Sequence, residues 1–223
     1  MPRTKSRRRT PLSRERVLRA AVALADERGT EELTMRKLAK ELGVEAMSLY
    51  NHVANKGDLL DGMIDLVFGE IDPPSADGDW KAELRKRAVS TRDALRRHPW
   101  AVGEMEGRTS HGPANLRLHD AVLGCLRAAG FSVAMTVHAY SVQDAYIYGF
   151  ALQQTDMSSE TPEDFAAEAQ RQMVEYESVL ADYPHLVEVV GGYVATAGYD
   201  YDAEFLFGLD VILDGLERLR GTR

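Results

Sequence analysis

The sequence predicts an all-α protein, and three observations carry that prediction. Apolar residues recur three and four apart along most of the chain. Ser, Thr and Asp stand where helices would begin, and glycines or prolines where they would end. No stretch alternates apolar and polar residues as a strand would, and no internal repeat stands out. Of the 223 residues, 44% are hydrophobic and 28% charged, which supplies enough apolar material for a core.

Each helix has its own signal. Ser13 caps the first, with Val17, Leu18, Ala21, Val22, Leu24 and Ala25 on or near one face and Gly29 as its stop. Thr34 caps the second, which turns Met35, Leu38, Ala39 and Leu42 inward before Gly43. A third runs from about Glu45 to His52. After the polar turn at residues 54–57, a fourth carries Leu59, Leu60, Met63, Ile64, Val67, Phe68 and Ile71. Gly62 and Gly69 each weaken it by about 1 kcal/mol relative to alanine, so flexibility is expected here. The stretch DPPSADGD, residues 72–79, reads as a linker.

Beyond the linker, Asp79 caps a helix that reaches about His98, ahead of Pro99. Gly112 and Pro113 open another, which ends at Gly130, and Ser132 begins a long one to about Gln154. Thr161, followed by Pro162 and two acids, starts a helix expected to end before Pro184. The last runs from about Asp202 to Arg220 and places Phe205, Leu209, Ile212, Leu216 and Leu219 on one stripe. Such a stripe suits a helix partner, inside the protomer or across an interface.

Charge and cysteine content narrow the classes. The formal net charge is −8, yet residues 1–70 hold 13 Lys and Arg against 11 Asp and Glu, and the remainder 14 against 24. The early excess lies in Arg3, Lys5, Arg7, Arg8 and Arg9, a basic arm over residues 1–12 suited to a polyanion. Cys125 is the sole cysteine, which excludes an intrachain disulfide and a cysteine-built zinc site and fits a cytoplasmic protein. No apolar run is long enough for a membrane span, and the basic N-terminus lacks the apolar stretch of a secretory signal.

Residues 33–60, LTMRKLAKELGVEAMSLYNHVANKGDLL, form the segment with the clearest chemistry. Ala39 permits close helix approach, and Gly43 permits the left-handed turn between two crossing helices. The second of these helices then presents Ala46, Met47, Ser48, Tyr50, Asn51 and His52, while Leu49 points inward. Short, polar and aromatic side chains on an exposed helix suit a DNA major groove.

Residues 13–71 resemble the DNA-binding domain of the TetR family, relatives of the tetracycline repressor. LTMRKLAKELGV, SLYNHV and NKGDLL carry that resemblance, and AAGFS and EFLFGLDVILDGLERL extend it into the region 80–223. It implies an operator-binding homodimer with a C-terminal helical-bundle domain for dimerisation and for a small organic ligand that releases the DNA. By the same resemblance Thr34, Tyr50, Ser48, His52 and Lys56 contact the DNA backbone, Arg36 reads guanine, and Ala46, Met47 and Asn51 face the bases. Ala46 and Met47 offer apolar contact to a thymine methyl and no bidentate readout.

At the ligand end, the tetracycline repressor uses a histidine and a partner-subunit glutamate around magnesium. The matching positions here are Met105 or Glu106, and Gln153, which do not keep that metal chemistry. An organic ligand in an apolar pocket, with no cofactor, is expected instead, lined by Trp100, Met105, His111, Asn115, Leu118, His119, Gln143 and Tyr146. Two other classes compete with this reading: an all-α enzyme, and an interaction protein with an incidental helix-turn-helix. The adjacent His119 and Asp120 diverge on a helix and make no catalytic pair. The basic arm, Arg36 and Lys56 argue for nucleic acid.

Overall fold

The computed structural model describes residues 11–105, 112–154 and 161–221, and no strand occurs among them. The helices are α1 (Arg14–Arg28), α2 (Met35–Leu42), α3 (Ala46–Leu49), α4 (Lys56–Phe68), α5 (Trp80–Arg97), α6 (Trp100–Met105), α7 (Pro113–Ala128) and α8 (Val133–Gln154). They continue as α9 (Pro162–Glu175), α10 (Glu177–Leu180), α11 (Pro184–Val189), a π-helical stretch Val190–Val194, α12 (Ala195–Ala197) and α13 (Tyr201–Leu219). None of the described helices is long and apolar enough to cross a membrane.

The chain forms two compact units. One gathers Met1–Ser75 with Val89–Val122, the other Ala76–Ala88 with Leu123–Arg223. The chain first passes from one unit to the other at Ser75–Ala76, within residues 72–79. Pro74 is buried, and the Asp72 backbone N–H donates to Ser90 Oγ at 2.9 Å.

In the first unit, α1 to α4 close around Val17, Leu24, Leu38, Leu49, Leu59 and Met63. Their starts are capped as the sequence implies: Ser13 Oγ accepts from Arg16 N–H and Thr34 Oγ1 from Lys37 N–H, both at 3.2 Å. Gly43 adopts φ 64° and ψ 39°, the left-handed turn that separates α2 from α3. At Gly62 a Cβ would lie 2.7 Å from Leu18 Cδ2, so the missing side chain leaves room for the Leu18 methyls of α1.

In the second unit α8 packs on α13. Phe205, Leu209 and Leu216 are buried there, with Leu213 beside them. Of the stripe expected on the last helix, three of the five residues lie inside the protomer, Ile212 is half-buried, and Leu219 alone is exposed. The outward apolar face of α13 is Phe207, Val211 and Leu219, and that of α8 includes Val133, Val137 and Leu152. On α5, Lys81 and Arg85 pair with Asp214 and Asp210 of α13, both at 2.9 Å. Trp80 Nε1–H donates to Glu217 at 3.0 Å.

Candidate functional site

The helix-turn-helix is held by one arginine. Arg14 of α1 donates to both carboxylate oxygens of Asp58, at 2.7 and 3.0 Å, and to the carbonyl of His52 at 2.9 Å. Asp58 also accepts the Ala54 N–H at 2.8 Å. These bonds fix the loop that follows α3 against α1, and the Arg14 guanidinium, then the Ala54 N–H, hold the Asp58 carboxyl below its ordinary range. Leu49, fully buried, anchors α3 from inside.

That anchoring turns the expected DNA residues outward. Thr34, Arg36, Met47, Tyr50, Asn51 and Lys56 are exposed, and Ala46, Ser48 and His52 are half-buried. Met47, 75% exposed, is the most prominent apolar side chain of the group. The helix itself is shorter than expected. It ends at Leu49, and Tyr50 and His52 donate backbone N–H to Met47 and Leu49, the tighter spacing of a turn. Asn51 and His52 therefore project from a turn. Thr34 accepts from Lys37 N–H through its hydroxyl, which leaves its proton to point outward. The Lys56 ammonium rests 3.3 Å from the Thr30 carbonyl.

The expected ligand residues are divided between the two units. In the first, Asn115 and Leu118 are buried on α7, and His119 accompanies them with Nδ1 2.9 Å from the Asn115 carbonyl. That bond places the ring proton on Nδ1. The Trp100 ring packs against the N-terminal core and its Nε1–H donates to Asp26 of α1 at 2.7 Å. Met105 is half-buried at the end of α6. His111 and Glu106 lie outside the described residues.

In the second unit Gln143 is fully buried on α8, and among the described residues neither of its amide atoms has a hydrogen-bond partner. The Asn115 side-chain oxygen is buried in the same condition. An unpaired buried polar atom costs about 1–3 kcal/mol, so each is a place where a ligand's polar group gains most. The Tyr146 hydroxyl donates to the Phe205 carbonyl at 2.9 Å and its ring stacks on Phe205, 5.5 Å between centroids. Near it, Arg87 of α5 pairs with Asp144 at 2.8 Å. Burial, then the Asp144 charge, pushes the hydroxyls of Tyr140 and Tyr148 far up. Gln153 is exposed. Among the described residues no three His, Cys, Asp or Glu side chains gather as metal ligands.

Two connections that sequence periodicity does not reveal complete the first unit. Asp65 of α4 accepts the backbone N–H groups of Ala114 and Asn115, at 2.8 and 3.0 Å, through one oxygen. It thereby caps α7 from another helix, and Phe68 of α4 lies 6.4 Å from the His119 ring. Buried His98 stands between Asp26 at 2.8 Å and Glu70 at 3.2 Å, tying the end of α1 to the α5–α6 junction. The partners of these acids lie 28 to 72 residues away along the chain.

Residues 17–63 match the family described as bacterial regulatory proteins, tetR family, and residues 72–220 match the tetracyclin repressor-like C-terminal domain. The chain is similar to the HTH-type transcriptional repressor DrrR1 of Streptomyces coeruleorubidus, 38% identical over 95% of this chain and 80% of that one. It is 33% identical to the class A tetracycline repressor of transposon 1721 from Escherichia coli, over 95% and 93% of the two chains. In structure it is similar to Streptomyces coelicolor ActR in complex with actinorhodin, with TM-score 0.78 and 26% identity over 95% of this chain and all of that one.

Proposed function

Since the chain belongs to the TetR family of bacterial regulators, we propose that it binds a palindromic operator as a homodimer and leaves it when a small organic molecule binds. The ligand-responsive, DNA-binding repressor character is that of the family; the dimer, the contacts and the ligand site are proposed from this chain's own residues. The observation that carries it is the presentation of Met47, Tyr50 and Asn51 around a helix whose Leu49 is sealed in the core. Lys56, Thr34, Ser48, Tyr50 and His52 contact phosphates and set register. Arg36 pairs with a guanine, and Ala46, Met47 and Asn51 meet base edges, with thymine methyls facing the two apolar side chains.

Two such helices need a twofold partner. The outward faces of α8 and α13, led by Val137, Phe207 and Val211, supply apolar surface for it. Half-sites would then lie about 34–36 Å apart or a multiple of that. Release follows from α7. Asn115, with its unpaired side-chain oxygen, sits one residue beyond the Ala114 N–H that Asp65 holds. A ligand that hydrogen-bonds Asn115 shifts the α7 N-terminus, and Asp65 transmits the shift to α4 and the loop bearing the DNA contacts. A complete reversal of occupancy requires a preference of about 5.5 kcal/mol for the released state. Gln143 is the corresponding polar anchor in the second unit. A ligand with hydrogen-bonding groups on an apolar frame suits such an anchor.

The decisive experiment is fluorescence anisotropy with duplex DNA from the promoter nearest the protein's own gene, at rising salt, against scrambled duplex. Preference for the promoter with a steep salt dependence is expected. Equal, weak binding to both duplexes would overturn the proposal.

A further inference from the structure

The second unit contains a cavity of about 310 Å³ between α9, α10, α11 and the π-helical stretch, lined by Met173, Tyr176, Leu180, Tyr183, Leu186 and their neighbours. None of the ligand residues assigned above lines it. Gln172 supplies the one amide of the lining, and the rest is aliphatic, thioether or tyrosine. Tyr176, Val179 and Tyr183 are about half exposed, so the mouth opens to solvent. The site has a built floor. The widened π turn begins at Val190, itself part of the lining, and π turns are frequent at functional positions. At Gly191 a Cβ would come 3.3 Å from Met173 Cε, so the glycine lets the thioether lie against that turn.

Charge selects the occupant. Residues 161–194 hold seven Asp and Glu residues against one arginine, Arg171, which pairs with Glu168, and one histidine, His185, 3.8 Å from Glu188. Glu175 and Glu177 flank Tyr176, and Asp182 precedes Tyr183; all three acids are exposed. An apolar cleft with two tyrosine rings and a carboxylate rim attracts a positive charge from two directions, through the field and through the ring faces. We propose that this cavity binds a lipophilic organic cation, an aromatic ring system carrying an ammonium group, with the ring seated on Met173 and Leu180 and the ammonium between Tyr176 and Tyr183.

The test uses the full chain labelled with [13C-methyl]methionine, with the Met173 signal assigned through Met173→Leu. Trimethyl(2-naphthyl)ammonium is titrated beside its neutral isostere 2-tert-butylnaphthalene and the anion 2-naphthalenesulfonate. The cation is expected to move the Met173 methyl signal and to half-saturate at roughly tenfold lower concentration than the isostere, with the sulfonate weakest. Glu175→Lys/Glu177→Lys/Asp182→Lys should erase that preference while the isostere still binds, and 0.5 M salt should shrink it in the unaltered chain. An unmoved Met173 signal, equal half-saturation for all three probes, or preference for the sulfonate would overturn the assignment. So would a Met173 signal that shifts on simple dilution and ignores the cation, which would place a second copy of the chain over the cavity.

Discussion

Asp65→Ala removes the acceptor that holds α4 to the start of α7, and its size follows from the two bonds lost. Both go to backbone N–H groups at a helix N-terminus, and Ala114 is 8% exposed, so water replaces the carboxylate poorly. Leaving such donors unsatisfied costs about 1–3 kcal/mol, and losing a negative charge from the first turn adds about 0.3–1 kcal/mol. A net loss of about 2–3 kcal/mol is expected by urea denaturation. Asp65→Asn is the informative partner: both bonds use Oδ1, so the amide keeps the acceptor and forfeits only charge, for about 1 kcal/mol. Functionally, the alanine variant should hold the operator nearly as well as the parent while ligand releases it poorly, because the α7-to-α4 connection is cut. Anisotropy with and without inducer reads both quantities. If Asp65→Ala is as stable as the parent, or is released by ligand as readily, the cap is not the coupling and the mechanism fails.

Lys56→Ala should weaken binding to operator and scrambled duplex alike and lower the salt slope by about one ion, while Arg36→Ala should cost roughly 1–3 kcal/mol at one base pair only; anisotropy on single-substituted operators separates them. Val211→Arg and Phe207→Arg, on the outward face of α13, should give monomers with greatly weakened operator binding, read by analytical ultracentrifugation; a stable dimer in both would move the interface elsewhere. Because the folded-state pKa of Asp58 is depressed, its contribution is present above the unfolded value of about 3.9 and is lost as pH falls through the folded one. The stability gap between the parent and Asp58→Asn should therefore hold steady from pH 7 to 5 and shrink below about pH 4.

Features set by adjacent residues were legible in the sequence. Ser13, Thr34, Thr161 and Gly43 each act within four residues of themselves, and each occupies the cap or turn its type implies. The stripe on α13 was legible as a helix but not as a direction, since Phe205, Leu209 and Leu216 share the helix with a second apolar row, Phe207, Val211 and Leu219. Periodicity cannot tell which row faces inward when both are apolar. The helix expected to run unbroken from residue 161 toward Pro184 ends at Tyr176, whose φ of −105° and ψ of 18° interrupt it without a proline or glycine to announce the break. In the candidate site, exposure of Met47, Tyr50 and Asn51 followed from the pattern around Leu49. The roles of Asp65 and Trp100 did not, because their partners lie about 50 and 74 residues away.

The pairing of Tyr146 with α13 has a consequence for how this chain can change over time. A Cβ at Gly208 would fall 2.3 Å from the tyrosine oxygen, so the missing side chain is a notch and the phenol is the tooth that fills it. With its hydroxyl seated on the Phe205 carbonyl, the tooth indexes α8 against α13 at one setting, and a slide of either helix by a turn would drive it into solid backbone. The outward rows on the two helices consequently keep a constant spacing, as if printed on one plate. Positions 146 and 208 are then bound to a shared history: a lineage that fills the notch must also blunt the tooth, and an alignment of descendants should show the two residues changing together or not at all.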